Sequence, residues 1–132
     1  MKSMALLFSH QLTEIQEQEA REKWGVKWFL PLPPSLQSQW SNLPAEGDFS
    51  YHWMEPFVTW LEKNTSTGDL VLIQGEFGAV YMMVSWCHLH GRIPIYATTE
   101  RRYESHRLPD GSIENRHFFR HVNFRRYPVQ KR

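Results

Sequence analysis

Apolar runs and amphipathic segments alternate along the chain and predict strands and helices in turn. Four short apolar runs have the length of buried strands: residues 5–8, 26–30, 70–73 and 93–97. Three longer segments have the apolar spacing or the end signals of helices: residues 13–24, 51–64 and 78–90. The first of these helices begins with a capping-box pattern from Thr13 to Gln16 and stops at Gly25. Residues 35–40 predict a short helical turn, and residues 41–50 a loop. This alternation favours a mostly parallel sheet with helices on both faces.

The C-terminal third departs from the alternation. Residues 103–107 and 118–124 predict two strands joined by a turn at residues 108–111, whereas residues 98–101 predict the loop that ends the preceding strand. We therefore expect one α/β domain over residues 1–132, with a mostly parallel sheet flanked by helices and a C-terminal β-hairpin.

Composition narrows the class of protein. The chain has 132 residues, of which 41% are hydrophobic, enough for one domain with one core. A single cysteine, Cys87, excludes an internal disulfide and a cysteine-based zinc site. No apolar stretch is long enough to cross a bilayer, and the N-terminal apolar run is too short for a signal peptide. We expect a cytoplasmic protein without a membrane partner.

Charge is distributed unevenly along the chain. Residues 1–100 hold six Lys and Arg against eleven Asp and Glu, while residues 101–132 hold nine against three. The C-terminal arginines are interleaved with aromatic residues: Tyr103, Phe118, Phe119, Phe124 and Tyr127. Such a segment can bind nucleic-acid phosphates and bases. It can equally pair with the acidic part of its own fold or of a second subunit, and composition leaves both interpretations open.

Three segments that follow predicted strands should meet at the carboxyl edge of the sheet. They are Ser9-His10-Gln11, Gln74-Gly75-Glu76-Phe77-Gly78 and Thr98-Thr99-Glu100-Arg101-Arg102. Hydroxyl, amide, imidazole and guanidinium groups at one edge suit a phosphate-containing ligand. The glycines of the second segment allow a tight turn into a helix, whose N-terminus attracts anions. That segment matches neither a P-loop nor a dinucleotide fingerprint, so we expect no cofactor.

Two side chains in these segments have alternative roles. His10 is a candidate general acid, a cationic contact to phosphate, or a polar loop residue. Glu76 is a candidate base that orients a ribose hydroxyl, or a cap for its own helix, and the cap is slightly favoured. The histidines show no metal-ligand spacing. His88 and His90 cannot share a helix face, and His117 and His121 would share one only in a helix, whereas residues 118–124 predict a strand. We therefore expect no metal.

Four blocks of the chain resemble the small CRISPR-associated proteins of type III systems that are grouped with the ring nucleases. The blocks are residues 7–13, 74–79, 93–99 with Arg101, and 119–127. The resemblance implies a Rossmann-like fold related to CARF domains, a homodimer, and a cyclic oligoadenylate ligand, most often the four-adenosine ring. It also implies cleavage of that ring, which switches off the antiviral effectors that the ring activates. A four-fold ring on a dimer axis presents the same half-site to each subunit.

The resemblance also implies a metal-independent reaction. In it, a ribose 2′-hydroxyl attacks the neighbouring phosphate and leaves a 2′,3′-cyclic phosphate. Carried over to this chain, the resemblance predicts His10, Glu76 and Thr98 as catalytic residues. It predicts these ligand-binding residues: Ser9, Gln11, Gln74, Gly75, Phe77, Gly78, Thr99, Arg101, His121 and Arg125. His10 would protonate the leaving oxygen or stabilise charge, and Glu76 or Thr98 would orient the hydroxyl. Glu100 is a departure from the family pattern, because the resemblance predicts a basic residue at this position.

Two other functions stay open. A sponge would sequester the cyclic oligoadenylate without cleaving it, because sequestration needs affinity and not attack geometry. A nucleic-acid-binding protein would use the arginine-rich C-terminal segment and bind linear RNA or DNA in a salt-dependent way. This last hypothesis ranks third, and we expect no stable nucleic-acid partner.

Overall fold

A five-stranded sheet forms the centre of the computed structural model, which describes residues 2–130. The strands are β1 (Lys2–Leu7), β2 (Val26–Pro31), β3 (Leu70–Ile73), β4 (Ile93–Arg107) and β5 (Ile113–Arg126). The helices are α1 (Glu14–Trp24), α2 (Pro34–Ser41), α3 (Glu55–Asn64) and α4 (Phe77–Leu89). The strand order is β2-β1-β3-β4-β5, with β5 antiparallel to β4 and the other neighbours parallel. The predicted α/β architecture, mostly parallel sheet and C-terminal hairpin are confirmed.

Alternate residues of β1 and β3 pack against helices on opposite faces of the sheet. Ala5, Leu7, Val71 and Ile73 share one buried cluster with residues of α2, α3 and α4. Met4, Leu6, Leu70 and Leu72 share the other cluster with Ala20 of α1. Both faces are covered, which explains why these strands are continuous apolar runs rather than alternating ones.

Local signals place two helix starts. Thr13 and Gln16 form the predicted capping box before α1, and Gly25 ends that helix with φ +69°. The predicted helix at residues 51–64 opens instead as a 3-10 turn at Tyr51–Met54, and α3 begins only at Glu55. Pro56 stands in the first turn of α3, where its missing N–H costs no helical hydrogen bond.

The C-terminal hairpin is longer than predicted. Residues 98–101 do not form a loop, because β4 continues without a break to Arg107 and pairs with β5 from Ile95↔Arg126 to Arg107↔Ile113. A register shift between Thr98 and Thr99 marks the point where the two strands leave the body of the sheet. Beyond it, nearly every residue is exposed. We call residues 99–120 the hairpin arm.

Within residues 2–130, the helices are all too short or too polar to cross a bilayer.

Candidate functional site

Gln74 joins three elements at the carboxyl edge of the sheet. Its backbone N–H donates to the Leu7 carbonyl at 3.0 Å, and its own carbonyl accepts the Trp40 indole N–H at 3.0 Å. Its side-chain Oε1 accepts the backbone N–H of Ala97 at 2.8 Å. The half-buried Gln74 therefore ties the ends of β1 and β3 to α2 and to β4. Its amide oxygen is therefore engaged in positioning this edge.

Gly75 and Gly78 are required by close packing. Neither has a positive φ. A Cβ on Gly75 would lie 2.8 Å from Trp40 Nε1, and one on Gly78 would lie 2.8 Å from Phe49 Cδ2. The turn therefore needs glycine for space, because two aromatic rings pack directly on its backbone.

Glu76 caps the helix that follows the turn. Its Oε1 accepts the backbone N–H of Ala79 at 2.8 Å, at the N-terminus of α4. The favoured interpretation of Glu76 as a cap is confirmed. A carboxylate at this helix end already satisfies one free N–H and offsets part of the positive dipole. The next residue, Phe77, is 93% exposed.

The segment after β1 lies beside a cavity of about 330 Å³ between α1, α2 and the ends of β1 and β2. His10 and Gln11 are exposed at this cavity, and Gln37 lines it from α2. The Gln37 amide donates to the Phe8 carbonyl at 2.7 Å. Ser9 is exposed, and its Oγ accepts the hydroxyl of Ser41 at 2.9 Å. Segments 9–11 and 74–78 therefore meet around α2, as expected.

The third predicted segment, residues 98–102, does not form a loop beside segments 9–11 and 74–78. Thr98 lies within β4, and its Oγ1 is 3.0 Å from both the backbone oxygen and Oδ1 of Asn123. Thr99 and Arg101 lie on the hairpin arm and are exposed. Arg101 stands six residues beyond Ile95 of β4, roughly 20 Å along the strand at ~3.3 Å per residue. The expected convergence of three loops is wrong for this segment, because cross-strand pairing with β5 extends β4.

His121 and Arg125 lie apart from the cavity on β5. Arg125 is exposed opposite Tyr96. His121 is packed against α1, where its Nε2 lies 2.6 Å from Glu19 Oε1 and its side chain is 6% exposed. The buried Nδ1 has no hydrogen-bond partner among the described residues. His121 therefore holds β5 to α1, and its contacts give it a structural role.

Glu19 is the acceptor of that contact. Its carboxylate also accepts the backbone N–H of Phe124 at 2.8 Å and the indole N–H of Trp24 at 3.1 Å. Burial raises the pKa of Glu19, but the hydrogen bonds from Phe124, His121 and Trp24 outweigh it and hold the pKa below its ordinary value. The carboxylate thus stays ionised in a largely buried place.

Lysine and arginine are absent from the two segments at the carboxyl edge, whereas the arm carries both charges. Segments 9–11 and 74–78 contain no Lys or Arg and one Glu. The arm carries five arginines and four acidic residues: Arg101, Arg102, Arg107, Arg116 and Arg120, and Glu100, Glu104, Asp110 and Glu114. In residues 2–130 no three His, Cys, Asp or Glu side chains are grouped as a metal site. Burial raises the pKa of Cys87 to about 12, so its thiol is not a nucleophile at neutral pH.

The structure adds three residues that the sequence reasoning missed at this edge. Gln37 and Trp40 bind the ends of β1 and β3 from α2, and the Tyr127 hydroxyl donates to the Ile73 carbonyl at 2.6 Å. Gln37 and Trp40 are three residues apart, a spacing that puts both on one face of a helix. That spacing is the sequence signal from which Gln37 and Trp40 could have been predicted.

Comparison with known proteins assigns the chain to a protein family. The model of the family described as "Uncharacterized protein MJ1673 family" matches residues 2–125. Over 127 residues the chain is 42% identical to "Uncharacterized protein MJ1673" of Methanocaldococcus jannaschii, and the match covers 96% of this chain and 98% of that protein. No solved structure matches the chain. Because both matches span nearly the whole chain, the protein belongs to the MJ1673 family.

Proposed function

We propose that the protein is a ring nuclease of type III CRISPR antiviral signalling with a Rossmann-like, CARF-related fold. The proposed ligand is a cyclic oligoadenylate, namely cyclic tetra-adenylate. The observation that carries the proposal is the meeting of segments 9–11 and 74–78 at one edge of the parallel sheet, where the first segment lies beside a cavity. Ligands of open α/β sheets bind at this edge. A messenger made inside the cell would meet the protein in the cytoplasm.

Cleavage of the ring requires a ribose 2′-hydroxyl in line with the neighbouring phosphate. The hydroxyl loses its proton to solvent water and its oxygen bonds to phosphorus; the bond from phosphorus to the 5′ oxygen breaks, and that oxygen takes a proton. His10 is the proposed donor, because its ring is exposed at the cavity. Glu76 and Thr98, the other two predicted catalytic residues, already hold hydrogen bonds within the protein.

A multiple-turnover assay tests this reaction. Purified protein is mixed with about a tenfold excess of cyclic tetra-adenylate in EDTA, and the products are identified by chromatography and mass spectrometry. We expect linear products ending in 2′,3′-cyclic phosphate, and a loss of at least tenfold in rate for His10→Ala. His52→Ala is the matched control, because His52 is an exposed histidine on the 3-10 turn. Equal rates for both variants and the wild type would remove His10 from the mechanism.

Sequestration without cleavage is the second candidate. It is favoured by the engagement of Glu76 in the α4 cap and of Thr98 with Asn123, because both residues predicted to orient the ribose hydroxyl already hold hydrogen bonds within the protein. The same assay separates the candidates. An intact ring, bound at a fixed ratio to protein in equilibrium dialysis, identifies a sponge.

The hairpin arm supports the proposed homodimer. It exposes Tyr103, Ile113, Phe118 and Phe119 on two strands that reach beyond the sheet. An isolated two-stranded hairpin is only marginally stable in water, so the exposed apolar side chains of the arm favour contact with a second surface. We propose that the arm packs on a second copy and brings Arg101 to the phosphates of the shared ring. Binding of linear RNA with a steep salt dependence would instead support the nucleic-acid hypothesis.

A further inference from the structure

The cavity beside His10 has apolar walls and a polar rim. Phe8, Leu12 and Phe29 contribute walls, and Gln11 and Gln37 contribute carboxamides. Its volume of about 330 Å³ is at the lower end of the ~300–1,000 Å³ typical of small-molecule sites. A flat heterocycle with polar edges fits this combination, because its faces need apolar contacts and its edges need hydrogen-bonding groups.

Gln37 presents a defined hydrogen-bonding pattern. Its Nε2 donates to the Phe8 carbonyl at 2.7 Å, which fixes the ends of the amide because a carbonyl accepts only from a donor. In the described part of the chain, no donor reaches its Oε1. This oxygen is therefore available to accept a hydrogen bond from an exocyclic amine. It would repel a carbonyl oxygen placed at the same position.

We propose that this cavity binds one adenine base of the ring and that Gln37 determines specificity for adenine. The inference rests on the proposed function. A carboxamide pairs well with the amine and ring nitrogen of adenine, and aromatic side chains contact base faces. A base with a carbonyl at position 6 would meet Gln37 Oε1 with like partial charge. A base held here places its own ribose and phosphate next to His10 and Gln11.

Calorimetric titration with cyclic tetra-adenylate and with cyclic tetra-inosinate tests the proposal, because inosine replaces the 6-amino group by a carbonyl. The wild type is expected to bind the adenine ring at least tenfold more tightly than the inosine ring. Gln37→Met should lose this preference and at least tenfold in affinity for the adenine ring. Gln39→Met is the matched control, because Gln39 is exposed on the same helix and does not line this cavity.

A second variant guards against a folding defect, since Gln37→Met also removes the bond to Phe8. Leu12→Trp fills the cavity from a half-buried position and leaves Gln37 in place, and it should also weaken binding at least tenfold. A wild type that binds cyclic tetra-adenylate while both variants bind it equally well overturns the inference alone. A wild type that binds no ring overturns the proposed function as well.

Discussion

Replacing Glu19 by Gln should cost the protein a large part of its stability. One carboxylate accepts hydrogen bonds from Phe124, Trp24 and His121, and its side chain is only 10% exposed. An amide at this position keeps one acceptor oxygen but turns an NH₂ group toward other donors. Donors at the junction of α1 and β5 would then be left without partners.

The size of the effect follows from these contacts. Leaving a buried donor without its acceptor costs about 1–3 kcal/mol. Because Glu19 accepts from three donors and the amide keeps one acceptor oxygen, we expect about 3 kcal/mol. Total stabilities are about 5–15 kcal/mol, so this is a substantial fraction. For a domain of this size, about 3 kcal/mol corresponds to a decrease in Tm of roughly 12 °C.

Urea unfolding followed by tryptophan fluorescence measures the loss. Glu22→Gln is the control: it makes the same chemical change on the same helix at an exposed site, where the carboxylate accepts from Gln18 at 3.2 Å. Its free energy of unfolding should change by less than about 0.5 kcal/mol. A loss below about 1 kcal/mol for Glu19→Gln would refute the reasoning, because the typical cost of an unsatisfied buried donor is higher.

The pH dependence gives an independent check. The pKa of Glu19 is lowered in the folded protein because hydrogen bonds to its carboxylate outweigh burial. A lowered pKa contributes stability that is complete above the unfolded-state pKa and is lost as the pH falls through the folded-state pKa. The wild type and Glu19→Gln should therefore differ most near pH 7 and converge in acid. A constant difference down to pH 3 would contradict this assignment.

Three further substitutions test other contacts. Tyr127→Phe removes the donor to the Ile73 carbonyl and should cost about 1 kcal/mol in urea unfolding at pH 7. Because burial raises the pKa of Tyr127 from 10.0 to about 12, the difference should shrink between those pH values, and a constant difference would refute the assignment. Gly75→Ala places a Cβ 2.8 Å from Trp40 Nε1 and should cost about 1–3 kcal/mol in thermal unfolding; wild-type stability would contradict it. Phe119→Asp should convert the proposed dimer to a monomer in sedimentation velocity, and an unchanged sedimentation coefficient would exclude this contact.

The order and type of the main elements followed from local signals along the chain. Fully apolar runs such as residues 70–73 identified strands buried on both faces, because such strands have no solvent side. The capping box at Thr13 placed the start of α1, and the carboxylate of Glu76 predicted its own cap. These features depend on residues within one turn of each other, so the sequence alone was enough to predict them.

Contacts between distant segments decided the rest of the site. Residues 98–101 resemble a loop, yet pairing with β5 makes them strand, and Arg101 moves onto the arm. Gln37 and Trp40 reach the edge of the sheet only because α2 packs across β1 and β3. The resemblance predicts His121 as a ligand-binding residue, and only the structure shows its Nε2 2.6 Å from Glu19, which lies 102 residues away on α1. The sequence by itself determined the local elements and the two segments that meet at the sheet edge. Only the tertiary structure decided which side chains at that edge already hold hydrogen bonds within the protein, because long-range hydrogen bonds leave no periodic signal in the chain.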